Sequence, residues 1–287
     1  MEPTSIRLPA TDGLTLHALE WSRDGVPMIL VHGFGNEAHL WDDFAPTVAD
    51  HYRVIALSLR GHGDSDWDPQ HRYDYDSHVA DLMAVTDHLG IDRMVLVGFS
   101  LGGRVAMLYA GLHPEKLAGL VIVDSAPELD ARGTTRIRME VAEHQAPAFA
   151  TVGEYETVLA HNYPVASPEA IKRMARHALK QRDDGKWVLK MDTAYRGVDG
   201  PRLSEGDMAA REEEHARQMW ASLEKLPCPT LVVRGAASDI MSPEVADRMV
   251  EEVIPNATLA VVPQAAHSVM TDNPTGFNQA VAKFVLG

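Results

Sequence analysis

The sequence has little cysteine, little positive charge and no long apolar run, and each shortage excludes a class of protein. Its 287 residues include a single cysteine, Cys228, which excludes an internal disulfide framework and a zinc site built from several thiolates. Lysine and arginine number 26 against 41 acidic residues, so the formal net charge is −15. Because an acidic surface repels phosphate backbones and anionic lipid headgroups, we expect neither a nucleic-acid partner nor a membrane partner.

Signals for membrane insertion, export and metal binding are also missing. The longest mostly apolar window, from Met94 to Leu112, is interrupted by a serine, four glycines and an arginine. Residues 1–5 contain no positively charged region followed by an apolar one, so we expect no secretory signal and a cytoplasmic location. The histidines do not form an H-E-x-x-H motif and the acidic residues do not have calcium-loop spacing, so we expect no metal and no cofactor.

The order of apolar patterns along the chain predicts an α/β fold. Continuous apolar runs at Met28–Val31, Val54–Leu57, Met94–Val97 and Leu120–Val123 are typical of parallel strands that are buried on both faces. Stretches with helical spacing lie between the runs, and the same alternation returns from Thr230 onwards. We therefore predict a mostly parallel central sheet with helices on both faces.

The middle of the chain has a different pattern. Between about residues 127 and 220 no continuous apolar run of the β type occurs, charges are dense, and apolar residues recur at helical spacing. We predict that residues 127–220 form a mostly helical cap, inserted into a core domain made of residues 1–126 and 221–287.

The segment Gly98–Gly102 reads G-F-S-L-G and matches the G-x-S-x-G pattern of a nucleophilic serine. A predicted strand runs into the segment and a predicted helix leaves it, so the small residues at its two ends would allow a sharp turn. A glycine-rich phosphate loop is the alternative, but the spacing fits neither G-x-G-x-x-G nor a P-loop, and no lysine follows. We predict that Ser100 is a nucleophile.

Several motifs together resemble the α/β-hydrolase superfamily, over about residues 5–126 and 221–287. Residues 32–35 (H-G-F-G) follow a predicted strand, as the oxyanion loop of that family does, and residues 60–65 (R-G-H-G-D-S) resemble its R-G-H-G-x-S loop. One departure is Ser58, where most relatives have an aspartate that is usually structural. The resemblance implies a serine hydrolase with a Ser-His-Asp triad and no cofactor.

The resemblance further implies that His267 is the general base and that Asp239 is the acid of the triad, because Ser100, Asp239 and His267 follow the order Ser…Asp…His. His62 is the rival base, although its glycine neighbours favour a loop that borders the pocket. Asp124 is a second candidate for the acid, since some relatives place this carboxylate after the corresponding strand. We expect Asp239, which follows a compact small-residue loop, and expect Asp124 to stabilise the entry to the cap.

Acyl transfer also needs hydrogen-bond donors where negative charge develops. The resemblance implies that the backbone N–H groups of Phe34 and Leu101 supply them. The side chain of Phe34, together with Tyr155 and Trp187 of the cap, is a candidate for the wall of the substrate pocket. Packing in the core is the alternative role for Phe34, and packing inside the cap is the alternative role for the two cap aromatics.

A serine at this position excludes the branches of the superfamily that use an aspartate nucleophile. We predict a carboxylic-ester hydrolase that acts on a small-molecule ester through an acyl-enzyme intermediate. A lactonase or a C–C bond hydrolase would use the same triad, although such C–C hydrolases usually carry asparagine where this chain has Phe99. Cofactor-free dioxygenases and hormone-type receptors share the fold and remain alternatives.

Overall fold

The structure is a computed structural model that describes residues 2–143, 148–196 and 204–287. The described residues form eleven strands, in chain order β1 (Thr4–Pro9), β2 (Thr15–Glu20), β3 (Val26–Val31), β4 (Tyr52–Leu57), β5 (Met94–Phe99), β6 (Leu117–Val123), β7 (Ala148–Phe149), β8 (Leu179–Gln181), β9 (Trp187–Leu189), β10 (Thr230–Gly235) and β11 (Ala257–Val262). They also form ten α-helices, namely α1 (Ala45–Val48), α2 (Tyr75–His88), α3 (Leu101–Leu112), α4 (Ala131–Glu143), α5 (Val152–Asn162), α6 (Pro168–Ala178), α7 (Glu205–Leu223), α8 (Pro243–Asp247), α9 (Val269–Asp272) and α10 (Pro274–Leu286). None of the described helices has the length and apolar character needed to cross a membrane.

Eight of these strands make one central sheet in the order β1-β2-β4-β3-β5-β6-β10-β11. The pairs β1–β2 and β2–β4 are antiparallel, and the pairs from β4 to β11 are parallel. The predicted fold class, a mostly parallel sheet flanked by helices, is therefore confirmed. Because parallel strands all end at the same edge, the loops that follow β3, β5, β6, β10 and β11 lie close together at the carboxyl edge of the sheet.

Alternation within each buried strand builds a hydrophobic core on both faces of the sheet. In β3, Ile29 and Val31 face a cluster that includes residues of α2 and α3. Met28 and Leu30 face the opposite cluster, with Trp41 and aromatic residues of the C-terminal region. Burial on both faces explains why the sequence of this strand is a continuous apolar run and not an alternating one.

The segment between β6 and β10 contains α4 to α7, as the helical spacing predicts, and also a small antiparallel sheet in the order β7-β9-β8. Strands of two or three residues are too short to produce a recognisable apolar run, so the sequence did not indicate them. Helix α7 continues past residue 220, the expected end of the cap, and its last turns pack against α3 of the core through Met219 and Leu223. Residues 144–147 and 197–203 of the expected cap lie outside the described residues.

Candidate active site

Ser100 lies in a sharp turn where β5 ends and α3 begins. Its φ of 51° places it in the left-handed region, which L-residues rarely adopt. The turn is tight, because a Cβ atom at Gly98 would clash with the carbonyl oxygen of Gly102, and a Cβ atom at Gly102 would clash with the carbonyl oxygen of Val31. The two glycines of the G-x-S-x-G segment therefore allow the strained turn that presents the serine at the carboxyl edge of the sheet.

His267 lies beside this serine, in the loop between β11 and α9. Its Nε2 is 3.0 Å from Ser100 Oγ, and its Nδ1 is 2.8 Å from Oδ2 of Asp124. A carboxylate accepts hydrogen bonds only, so the proton of a neutral imidazole belongs on Nδ1 and Nε2 is left as an acceptor for the serine hydroxyl. Ser100, His267 and Asp124 thus form one continuous hydrogen-bonded chain.

Asp124 follows β6 directly and its side chain is fully buried. The hydroxyl of Ser238 donates to its Oδ2 at 2.6 Å, and the backbone N–H of Gly235 donates to its Oδ1 at 3.1 Å. A buried carboxylate is costly unless hydrogen bonds replace its hydration, and these two donors, with the imidazole, supply them. The donors come from the last residue of β10 and from the loop after it, so two adjacent strand ends hold the carboxylate towards His267.

Asp239, which we predicted would orient His267, has a different partner. Its carboxylate accepts two hydrogen bonds from Arg136 of α4, at 2.7 Å from Nε and 2.9 Å from Nη2. This guanidinium lowers the pKa of Asp239. The prediction that Asp239 contacts His267 is therefore wrong, and the second candidate, Asp124, holds that position. Both residues follow strands that end at the same edge of the sheet. They differ in their hydrogen-bond partners, which come from distant segments of the chain.

His267, and not the rival base His62, is the histidine whose hydrogen bond to Ser100 the structure shows. His62 is buried, its Nδ1 is 3.1 Å from the carbonyl oxygen of Arg60, and its ring packs edge-on against Tyr195. The interpretation of His62 as part of a loop that borders the site agrees with its contact with Phe34, at 6.2 Å between ring centroids.

Two backbone N–H groups lie near the serine: that of Leu101, which follows it in the sequence, and that of Phe34, in a loop that the fold brings close to it. In the described part of the chain neither donates a hydrogen bond to another residue. The loop that carries Phe34 approaches the turn closely, because a Cβ atom at Gly33 would lie 3.0 Å from Cβ of Ser100. Free N–H groups close to the serine are what an oxyanion requires.

His32 holds the Phe34 loop in place. Its Nε2 accepts a hydrogen bond from the Leu59 N–H at 2.9 Å, so its Nδ1 carries the proton and donates to the Gly33 carbonyl oxygen at 2.7 Å. Burial lowers the pKa of His32 to about 4, which keeps the imidazole neutral at neutral pH. The histidine of the H-G motif therefore has a structural role, because its two hydrogen bonds hold the loop that carries Phe34 in position.

A cavity of about 1130 Å³ opens onto Ser100 and His267. Core loops and the middle segment both line it, and Phe34 and Tyr155 are among the lining residues, as predicted. Trp187 is not among the described residues that line the cavity. It lies in β9 and packs against the apolar cluster of the middle segment, so the alternative role, interior packing, applies to it.

Sequence reasoning missed a charged residue in the cavity wall, Arg136. Tyr163 also lines the cavity, as the aromatic composition of the middle segment suggests, and burial raises the pKa of its hydroxyl. Arg136 lies in the segment without family motifs. It does not belong to a recognisable pattern, so nothing in the sequence alone could have identified it.

Comparisons with known proteins agree with this architecture. Residues 26–274 match the family model described as the alpha/beta hydrolase fold. An esterase of Mycobacterium tuberculosis is 27% identical over 277 residues, which cover 93% of this chain and 85% of that protein. A 2-(acetamidomethylene)succinate hydrolase of Mesorhizobium japonicum is 24% identical over 275 residues, which cover 95% and 92%. The crystal structure of an alpha/beta hydrolase from Novosphingobium aromaticivorans superposes with a TM-score of 0.82 at 27% identity, covering 99% of this chain and 98% of that one. The chain thus belongs to the alpha/beta hydrolase fold family, and it is a hydrolase of that family.

Proposed function

We propose that the protein is a serine hydrolase that cleaves carboxylic esters, with Ser100, His267 and Asp124 as its catalytic triad. The observation that carries the proposal is the hydrogen-bonded chain from the serine Oγ through the imidazole to the buried carboxylate, with distances of 3.0 and 2.8 Å. A serine hydroxyl is a weak nucleophile, and an adjacent base oriented by a third group is what activates it.

The reaction would proceed in two halves. Ser100 Oγ attacks the ester carbonyl carbon while His267 Nε2 takes the hydroxyl proton, and Asp124 stabilises the resulting imidazolium. The imidazolium returns this proton to the alkoxide oxygen as the carbon–oxygen bond breaks, so the alcohol leaves and an acyl-enzyme remains. A water molecule then gives its proton to His267 as it attacks the acyl carbon, and the acid leaves as Ser100 is reprotonated.

The N–H groups of Phe34 and Leu101 would stabilise the negative charge on the carbonyl oxygen in both tetrahedral intermediates. Their freedom from other partners in the described residues supports this role. Loss of one such donor typically costs about 10²- to 10³-fold in kcat. We assign both to the backbone, so the Phe34 side chain serves as part of the pocket wall.

We further propose that residues 127–220 act as a cap that selects the substrate. Residues of α4, α5 and α6 line the cavity, together with the core loops that carry Ser100 and His267. Arg132 and Arg136 lie in the wall, but Asp130 pairs with the first at 2.7 Å and Asp239 with the second. Since both guanidiniums are already neutralised, we favour a neutral ester over an anionic one.

The esterase relative supports the choice of an ester, and the relative that hydrolyses 2-(acetamidomethylene)succinate keeps another hydrolysable substrate open as the alternative. A panel of p-nitrophenyl esters of rising acyl length, with mass spectrometry after a phosphonate probe, tests the proposal. We expect burst release of nitrophenol and one adduct, on the peptide that contains Ser100.

The matched control is the Ser100→Ala variant, which should take up no probe and lose activity by about 10⁶-fold in kcat. An adduct on Ser125 or Ser268, or an active Ser100→Ala variant, would refute the nucleophile. Oxygen consumption with a heteroaromatic substrate would indicate a dioxygenase, and a single slow turnover with retained product would indicate a receptor.

A further inference from the structure

Two histidines and an aspartate form a second cluster of ionisable side chains, apart from the Ser100–His267–Asp124 chain. His39 and Asp42 belong to the loop after β3, and His177 belongs to the last turn of α6. We call these three residues the junction cluster. Each offers one ligand atom that lies within 4.8 Å of the ligand atoms of the other two. The cluster therefore lies between the hydrolase core and the middle segment.

The local backbone presents His39 and Asp42 on one side of the loop. Residues Ala38–Trp41 form a 3₁₀ turn, in which side chains three positions apart point in the same direction. The carboxylate of Glu37 accepts a hydrogen bond from the His39 N–H at 3.0 Å and so caps the turn. As a result, His39 Nδ1 lies 3.0 and 3.1 Å from the two carboxylate oxygens of Asp42.

His177 completes the cluster from the other side. Its ring stacks on the ring of His39, with 3.4 Å between centroids and 25° between planes. In the described residues no hydrogen bond involves a ring nitrogen of His177 or Nε2 of His39. Arg173, one turn earlier in α6, donates hydrogen bonds to Asp43. Its Nε is 3.8 Å from the Asp42 carboxylate, which is farther than His39 Nδ1 at 3.0 Å. The ring nitrogens of His177 and Nε2 of His39 are therefore available as ligands.

We propose that the junction cluster binds a divalent transition-metal ion such as Zn²⁺. Two imidazole nitrogens and one carboxylate oxygen are a common zinc donor set, and they leave a fourth position for water. With bonds of about 2.0–2.1 Å, ligand atoms around a tetrahedral ion lie about 3.3 Å apart. The ligand atoms of the junction cluster are within 4.8 Å of one another. Because an imidazole nitrogen binds an ion in the plane of its ring, the two stacked rings must rotate about their side-chain torsions for both to coordinate the same ion.

A bound ion would tie two parts of the molecule together. It would link the 3₁₀ turn after the Phe34 loop to α6, and His39 itself is part of the cavity wall. The ion would therefore stabilise the folded state, because it binds ligands that only the folded chain brings together. This inference does not depend on the proposed esterase activity, since none of the three residues belongs to the triad.

Equilibrium dialysis of the full-length, EDTA-treated protein against Zn²⁺ tests the site, with thermal unfolding as the second readout. We expect one tightly bound Zn²⁺ per chain and a rise in Tm. The variants His39→Gln, His177→Gln and Asp42→Asn should each weaken binding by at least about 100-fold, because even outer partners of metal ligands are worth about 10- to 100-fold. Each variant is measured only after its Tm without metal shows that it is folded.

Three controls keep the outcome decisive. His88→Ala changes an exposed histidine of α2 far from the cluster and should leave Zn²⁺ binding intact. Ser100→Ala should also bind Zn²⁺ normally, so failure of the esterase proposal and failure of this one are distinguishable. Unchanged affinity in His177→Gln, or loss of the ion in His267→Ala but not in the junction variants, would overturn the proposal. With Cu²⁺ in place of Zn²⁺, electron paramagnetic resonance should show coupling to two imidazole nitrogens.

Discussion

At the scale of single residues, Asp124 and Asp239 show how the surroundings of a carboxylate decide its chemistry. Asp124 is fully buried and accepts hydrogen bonds from Ser238, Gly235 and the imidazole. Asp239 is partly exposed and its two oxygens are occupied by the guanidinium of Arg136. A carboxylate that is paired with a guanidinium cannot also orient an imidazole without breaking that pair.

The first prediction compares the two carboxylates. Asp124→Asn should lower kcat for a short nitrophenyl ester by about 10⁴-fold, because the amide favours the wrong tautomer of His267. Asp239→Asn should keep most of the activity. Steady-state kinetics measures both, and circular dichroism checks that each variant is folded. The reverse order of the two losses would return the catalytic role to Asp239.

A second prediction concerns His32 and the pH dependence of stability. Burial lowers the pKa of His32 in the folded state from 6.5 to about 4, so the unfolded chain takes up a proton that the folded chain excludes. The stability that His32 contributes is therefore complete above about pH 6.5 and is lost as the pH falls towards 4. Between pH 7 and pH 5 the loss amounts to about 2 kcal/mol in the free energy of unfolding.

Urea unfolding at a series of pH values, for the wild type and for His32→Asn, measures this contribution. The variant lacks the titrating group, so its free energy of unfolding should fall less steeply between pH 7 and pH 5, by about 2 kcal/mol. Equal slopes for the two proteins would show that His32 does not exclude a proton in the folded state.

At the scale of elements, the first turn of α4 docks closely on the loop after β10. The N–H of Gly133 donates to the carbonyl oxygen of Asp239 at 3.0 Å, and the N–H of Asp130 donates to that of Ile240 at 2.9 Å. A Cβ atom at Gly133 would clash with the Asp239 backbone. The pair between Arg136 and Asp239 lies one turn further along, so contact between backbones and an ion pair both join the middle segment to the core.

The third prediction follows from this close approach. Gly133→Ala should lower Tm, because α4 must shift to admit the methyl group. Gly153→Ala, in α5, is the matched control: among the described residues its Cβ would meet only the Thr151 hydroxyl, at 3.8 Å. Alanine is the better helix former, so the control should raise the free energy of unfolding by up to about 1 kcal/mol. Equal effects of the two substitutions on Tm would contradict the docking contact.

At the scale of the whole molecule, two regions of the chain line the cavity. The core loops bring Ser100 and His267 to its floor, and helices of the middle segment form much of the remaining wall. Tyr155 and Trp187 were equivalent in the sequence, and both pack in the apolar cluster of the middle segment, but of the two only Tyr155 is among the described residues that line the cavity. An effect on substrate choice is therefore expected at Tyr155 alone, and an effect on stability at both positions.

The fourth prediction uses these two aromatics as a pair. Tyr155→Ala should shift the preference among nitrophenyl esters towards longer acyl groups, because it enlarges the cavity. Trp187→Ala should lower Tm and leave the ranking of substrates unchanged. The kcat/KM values across the ester panel, with Tm for each variant, measure both effects. A changed ranking in Trp187→Ala alone would show that the cap contributes to substrate choice through other residues.

The sequence by itself determined the order of the strands and helices of the core and the residues of the turn that carries Ser100. Apolar runs and helical spacing are properties of neighbouring residues, and they predicted the parallel sheet. The G-x-S-x-G segment specified its own turn, because the space around Gly98 and Gly102 admits no side chain. His267 lies beside Ser100 as the order of motifs predicted, since both follow strands that end at one edge.

Only the tertiary structure decided which carboxylate faces His267, which cap aromatic faces the cavity, and that a small sheet joins the helices of the middle segment. The sequence favoured Asp239 over Asp124, but in the fold Asp239 pairs with Arg136, 103 residues before it in the chain, and Asp124 accepts the hydrogen bond of His267. The junction cluster likewise unites His39 and His177 from separate segments. Such contacts depend on how distant elements are placed relative to one another. Local periodicity does not encode this placement, because a periodic pattern specifies which face of an element a residue occupies and not which residue it contacts there.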